Sequence, residues 1–174
     1  QNLRVNVTRW TTDLCGFDLV GVDASIANAI RRVLIAEVPS VAIEHVYIWN
    51  NTSIIQDEVL SHRLGLIPLA IDPRKLSFKM DDEANDQNTV VFNLKADCWK
   101  NGNSKDATVE GRYVYSSQLE WDPKGDQAET MADSPPRPVN QDIVIAKLAP
   151  GQGMEMELHC EKGIGKDHAK FSPV

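Results

Sequence analysis

The chain has 174 residues, 42% of them hydrophobic, which is enough to bury one medium core or two small ones. Its formal net charge of −7 argues against a broad nucleic-acid-gripping surface, because such a surface needs clustered Lys and Arg. No apolar run approaches the length of a membrane span. The cysteines Cys15, Cys98 and Cys160 are far apart and leave no Cys-x-x-Cys pair for a zinc ribbon or finger. Their scarcity predicts free, buried thiols in a reducing compartment. Gln1 to Trp10 carry polar residues throughout and do not read as a signal peptide.

Leu3 to Thr8 alternates Leu3, Val5 and Val7 with polar neighbours, which predicts a strand. Cys15-Gly16 is expected in a turn, and Phe17 to Val20 in a second strand. The next segment, from about Ala24 to Glu37, carries the most informative helix signal. Asp23 is a good N-cap, because its carboxylate accepts from free N–H groups of the first turn. Pro39 lacks an N–H and disfavours helix at Val38, so the helix should stop there. Ile26, Ile30, Val33 and Leu34 fall on one stripe of a 3.6-residue period. The opposite face carries Asn28, Arg31 and Arg32 with Ile35 in their midst, so contacts are expected on both sides of this helix.

Val41 to Trp49 is rich in branched and aromatic residues and predicts a strand. Ser53, with Gln56 three residues on, predicts a capping box for a second helix ending near Gly65. The apolar run through Leu64, Leu66, Ile67 and Leu69 must then be buried, either in the chain's own core or against a neighbour. Asp81 to Asp86 predicts an acidic loop, Thr89 to Ala96 a strand, Asn101 to Asp106 a polar turn and Tyr113 to Trp121 an extended segment. Asp122 to Asn140 is rich in Pro, Gly and acid, and Pro135, Pro136 and Pro138 argue against regular structure there. That loop is expected to be mobile or pinned by a partner. Asp142 to Leu148 predicts a strand. Met154, Met156, Leu158 and Cys160 alternate with Glu155, Glu157 and His159, the clearest half-buried strand in the chain. The fold class is α+β, with strands outnumbering helices.

No catalytic constellation emerges. His45, His62, His159 and His168 have no helical metal-site spacing, and structural roles are expected for all four. Asp57 and Glu58 are expected to face water or to pair with Arg63. Ser53, His62 and Asp57 lack any nucleophile-elbow context. Gly163-Ile164-Gly165-Lys166 lacks the phosphate-loop spacing and reads as a tight turn. Lys166, His168 and Lys170 form a basic turn on an acidic chain, suited to a carboxylate-bearing partner.

Three stretches share a further property. Asn28-Ala29-Ile30-Arg31-Arg32-Val33-Leu34-Ile35-Ala36-Glu37-Val38-Pro39 resembles the first helix of the RNA polymerase alpha-type subunits. Asn50 to Leu69 and Gly163 to Val174 resemble two later stretches of the same family, in the family's order. The chain lacks the cysteine cluster that polymerase II and many archaeal members use for zinc or iron–sulfur. Asn50 to Ser53 and Lys166 to Pro173 look most like the branch shared by RNA polymerases I and III.

The resemblance implies a split dimerisation domain, with residues 1–38 as its first part and 39–174 as an inserted, mostly-β domain. The family's next strand and long helix would follow Val174. It also implies a non-catalytic subunit of a nuclear DNA-directed RNA polymerase, in nucleolus and nucleoplasm, with no metal or other cofactor of its own and no membrane contact. The implied partners are a small alpha-like subunit as heterodimer, the second-largest subunit and the small platform subunits, with no direct specific nucleic-acid contact. The expected partner-binding residues are Asn28, Arg31, Arg32, Ile35, Arg63, Lys166, His168 and Lys170. The arginine pair would anchor the second-largest subunit around Ile35. Two alternatives stand beside this reading. One is a free-standing protein-interaction domain. The other is a small hydrolase, which needs a pocket with convergent polar groups.

Overall fold

A computed structural model describes residues 2–12, 14–80, 83–101 and 108–173. Strands β1 (Arg4–Trp10) and β2 (Cys15–Val20) form an antiparallel hairpin, with Arg4 opposite Val20 and Val7 opposite Phe17. The Thr11 N–H donates to the Leu14 carbonyl at 2.8 Å and closes the turn. Cys15 and Gly16 therefore open the second strand and are not the turn expected of them. Helix α1 (Ala24–Ala36) follows. Asp23 accepts from the Ser25 N–H at 2.8 Å and from the Ser25 hydroxyl at 2.6 Å. These bonds hold its carboxyl below the usual carboxylate range. The helix ends ahead of Pro39, with the Glu37 N–H on the Val33 carbonyl at 2.9 Å.

Then come β3 (Pro39–Asn51), α2 (Asp57–Gly65), β4 (Leu69–Ala70), β5 (Thr89–Asp97) and β6 (Trp99–Asn101). Next are β7 (Thr108–Glu110), β8 (Tyr113–Tyr115), β9 (Glu120–Asp122) and α3 (Gln127–Thr130). β10 (Arg137–Pro138), β11 (Val144–Lys147) and β12 (Gly153–Ile164) complete the strands. The main sheet runs β3-β12-β5-β9, all antiparallel. The α+β class is as the sequence predicts.

The alternation of β12 makes it the centre of this sheet. Met154, Met156, Leu158 and Cys160 point to one face, beside Leu94, Phe92 and Val90 of β5 and Ile43 of β3. Leu60 and Leu64 of α2, with Ile67, Leu76, Val114, Leu119, Met131, Ile145 and Leu148, close over that face. Each such side chain contributes roughly 1.5–3 kcal/mol when fully buried. Burial pushes the Cys160 thiol well above its ordinary pKa. Cys98 is buried too, but Cys15 is exposed, contrary to the expectation of three buried thiols. β3 carries two bulges, where its pairing with β12 skips Trp49 and Glu44.

Several expectations need correction. The reversal after β3 is built by Asn51 and not by a Ser53–Gln56 capping box. The Asn51 amide donates to the Ile55 carbonyl at 2.9 Å and to Asp57 at 2.7 Å, and the Ser53 hydroxyl donates back to Asn51 at 2.7 Å. Gln56 stands at the N-cap of α2 without a side-chain bond. Tyr113 to Trp121 is not one extended segment. A 3-10 turn at Ser116–Gln118 separates β8 from β9, which lie in different sheets. The Pro-rich stretch holds α3 and β10 and is pinned by the chain itself. The buried Gln127 amide donates to the Asp86 and Thr89 carbonyls, both at 2.7 Å. The strand expected from Asp142 is shorter, beginning at Val144. Asp81 and Asp82, Gly102 to Asp106 and Val174 lie outside the described residues.

Candidate partner interface

Helix α1 buries none of its residues. Its stripe Ile26, Ile30, Val33 and Leu34 is uncovered, with Ile26 at 53% exposure. The hairpin beside it in sequence leaves Leu3, Val5, Val7, Trp10, Phe17 and Val20 exposed as well, Trp10 at 76%. Elements with clean amphipathic patterning and no cover on the apolar side are the signature of a surface that something beyond these residues buries.

Polar residues of α1 divide into held and free. The Asn28 side-chain oxygen accepts from Arg31 Nε at 3.1 Å and from Arg31 Nη2 at 2.8 Å. Arg31 thus lies along its own helix, one turn from Asn28. Arg32 has no side-chain partner among the described residues. It lines a cavity of about 360 Å³ with Ala29, Val33, Ala36, Glu37 and Lys166. Ile35, 37% exposed, is on the same helix and offers its carbonyl side to the turn after β12.

That turn reaches the helix because of its glycines. A Cβ on Gly165 would stand 2.5 Å from the Ile35 carbonyl oxygen, and one on Gly163 would stand 2.7 Å from the Phe171 ring. The Lys166 N–H then donates to the Ala36 carbonyl at 2.8 Å, satisfying one of the open carbonyls of the helix end. The fold therefore brings Arg32 and Lys166 into one cavity, although they are far apart in sequence.

A second group surrounds the end of α2. Arg63 Nη2 donates to the Val144 carbonyl at 2.9 Å, not to Asp57 or Glu58 as one reading had it. It lines a cavity of about 210 Å³ with Leu66, Ile67, Ile143, Val144 and Ile145. His168 Nδ1 accepts from the Lys170 N–H at 3.1 Å and caps the 3-10 turn Ala169–Phe171. Lys170 does not offer a free ammonium. Its Nζ pairs with Glu44 at 2.5 Å and donates to the Ile43 carbonyl at 2.9 Å, where the β3 bulge turns Glu44 toward it. Leu66 is exposed and lines both this neighbourhood and the Arg63 cavity. Of the run from Leu64 to Leu69, Leu64 and Ile67 join the core, as one of the two expected fates has it, while Leu66 faces out.

Sequence reasoning missed Glu37 and Glu44, which contribute charge at these two places, and the role of Leu66. The glycine pair itself, Gly163 at the end of β12 and Gly165 in the turn after it, is the one sequence signal of such a close backbone approach. On the outer sheet face Lys79 pairs with Glu161 at 2.6 Å, with His45 at 3.4 Å from the same oxygen, and His159 meets Glu157 at 2.7 Å. No group of three or more metal-binding side chains is assembled among the described residues. No described helix is long and apolar enough to cross a membrane.

Residues 46–172 match the family described as RNA polymerase Rpb3/RpoA insert domain, over most of the chain. The chain belongs to this family. Among relatives, it is 47% identical over 182 residues to the mouse (Mus musculus) DNA-directed RNA polymerases I and III subunit RPAC1, covering 100% of this chain and 53% of that protein. It is 44% identical over 185 residues to the Saccharomyces cerevisiae subunit of the same name, covering 100% of this chain and 55% of that one. The archaeal DNA-directed RNA polymerase subunit Rpo3 of Pyrococcus horikoshii is 34% identical over 172 residues, covering 98% of this chain and 57% of its own. The chain spans about half the length of the curated relatives it matches. Within the Rpb3/RpoA family, the insert-domain match begins in β3 and takes in the whole of β12, the strands that carry the core.

Proposed function

We propose that this chain is part of a non-catalytic subunit of a nuclear DNA-directed RNA polymerase, of the kind shared by polymerases I and III. Residues 1–38 form the first part of a split dimerisation domain, and 39–174 form the inserted domain. The subunit heterodimerises with a small alpha-like subunit, anchors the second-largest subunit and lies beside the small platform subunits, in nucleolus and nucleoplasm. It serves as an assembly scaffold and brings no catalytic group, cofactor or specific nucleic-acid contact.

The observation that carries this reading is the identity of 44–47% along the whole chain to subunits named for polymerases I and III. The geometry supports a scaffold. α1 has an apolar stripe that nothing in the described chain covers, and its opposite face carries Arg31, Arg32 and Ile35 in the open. Covering the stripe would return a large part of the roughly 1.5–3 kcal/mol available per buried side chain. The sheet domain, closed over its own core, supplies a rigid base for that helix.

The test is to purify the endogenous protein under mild conditions and identify what accompanies it. Subunits of both polymerases in near-stoichiometric amounts are expected. Recovery alone, or with proteins of one unrelated complex, overturns the reading in favour of a free-standing interaction domain.

A further inference from the structure

Arg32 and Lys166 line the same cavity of about 360 Å³ at the end of α1. Neither side chain makes a hydrogen bond or ion pair among the described residues, and the same is true of Glu37, the acid that shares the cavity wall. The other basic residues of the two motifs are already held: Arg31 by Asn28, and Lys170 by Glu44 and the Ile43 carbonyl. Two cations without a side-chain partner among the described residues thus line one cavity, on a chain of net charge −7. Their placement is fixed by main chain, through the Lys166 N–H on the Ala36 carbonyl and the close approach that only Gly165 allows. With Glu37 counted, the cavity wall has one positive charge in excess, a match for a single carboxylate. A phosphate dianion carries twice that charge, would overmatch the excess and would be repelled by Glu37 twice as strongly as a carboxylate.

We propose that this cavity is a receptor for one Asp or Glu side chain of a neighbouring polymerase subunit, gripped between the Arg32 guanidinium and the Lys166 ammonium. The guanidinium supplies a planar fork for the carboxylate, and the ammonium supplies a point charge from the other side. The apolar flank of Ala29, Val33 and Ala36 excludes water from the pair once the partner is seated, which strengthens the interaction. This receptor rests on the polymerase reading and gives that reading a defined contact. It also joins the first helix and the terminal basic turn into one site.

The test is zero-length carbodiimide cross-linking of the native assembly, read by mass spectrometry. The reagent joins an ammonium to a carboxylate only where the two touch. Lys166 linked to an Asp or Glu of another chain is the expected product. Arg32→Ala should lower its yield by about fivefold or more, because the two cations share one acceptor. Lys166→Arg keeps the charge and should assemble normally with that cross-link gone. In an assembly that does contain polymerase subunits, Lys166 joined only to Glu37, or to no carboxylate, overturns the receptor and leaves the polymerase reading standing. A nucleic-acid adduct at Lys166 after ultraviolet irradiation also overturns it. Absence of polymerase subunits from the purified material removes both.

Discussion

Phe92 in β5 and Ile26 in α1 are both large apolar residues on well-patterned elements, yet Phe92 has no exposed surface and Ile26 leaves 53% of its own in solvent. The buried apolar residues of the described chain all lie after Pro39, although Trp49, Ile54 and Leu66 there remain exposed. In the sheet domain the core face of the main sheet has its partners from the same chain: β12 has β3 and β5 beside it, and α2, β8 and β11 supply the cover. In the N-terminal segment the hairpin and α1 bury no apolar side chain. Periodicity decides which side chains share a face, but a complementary surface decides whether that face is buried. One region has a closed core, and the other leaves its apolar faces in solvent.

Core truncation gives the sharpest test of that contrast. Phe92→Ala should destabilise the chain by about 3–5 kcal/mol in denaturant unfolding. Ile30→Ala in the isolated chain should change stability by about 1 kcal/mol or less, since Ile30 is 40% exposed and Ala is the better helix former. In the assembled subunit Ile30→Ala should instead weaken association. Equal losses for the two substitutions in the isolated chain would erase the distinction between the regions.

A smaller effect is expected on the charged face of α1. Replacing Arg32 by Ala should cost on the order of 2 kcal/mol in association with the large-subunit assembly, the scale of an interface hot spot. Arg31→Ala should cost on the same order or less, because that guanidinium must first leave Asn28. Pull-down with a thermal melt alongside checks both, and the melting temperature should barely move, because exposed charges contribute little to stability. Normal assembly of both variants would reduce the pair to a solvated face.

Thiol chemistry sorts the regions without changing stability. Cys15 lies exposed in β2, while Cys98 and Cys160 are buried, and burial keeps the Cys160 thiol protonated through the pH range of an alkylation assay. One rapid alkylation per native chain, at Cys15, is expected at pH 8, rising to three in denaturant. Rapid native labelling of Cys160 would mean that the sheet opens.

The parts legible in sequence were those fixed by local rules. Asp23 and Pro39 bracket α1 because capping and the missing proline N–H act within a turn of the chain. The alternation from Met154 to Cys160 identifies β12 because a strand's period is 2. The failures came where distant groups compete with local ones. Asn51, at the end of β3, took over the reversal that Ser53 and Gln56 were expected to make. Gln127 reached across to Asp86 and Thr89 and ordered a stretch whose composition reads as loop. In the candidate interface, residue types were legible but their state was not. Whether a cation is free depends on partners such as Glu44 for Lys170, which stands 126 positions away and is exposed by a bulge that sequence does not announce.

Hydrogen exchange on the isolated chain tests most directly the division between a closed core and apolar faces left in solvent. Amides of residues 153–164 should exchange slowly, because β12 is paired on both sides. Those of residues 24–36 should exchange orders of magnitude faster and slow down only in the assembled complex. Protection of α1 equal to that of β12 in the monomeric chain would contradict it, because the helix would then be complete without a partner.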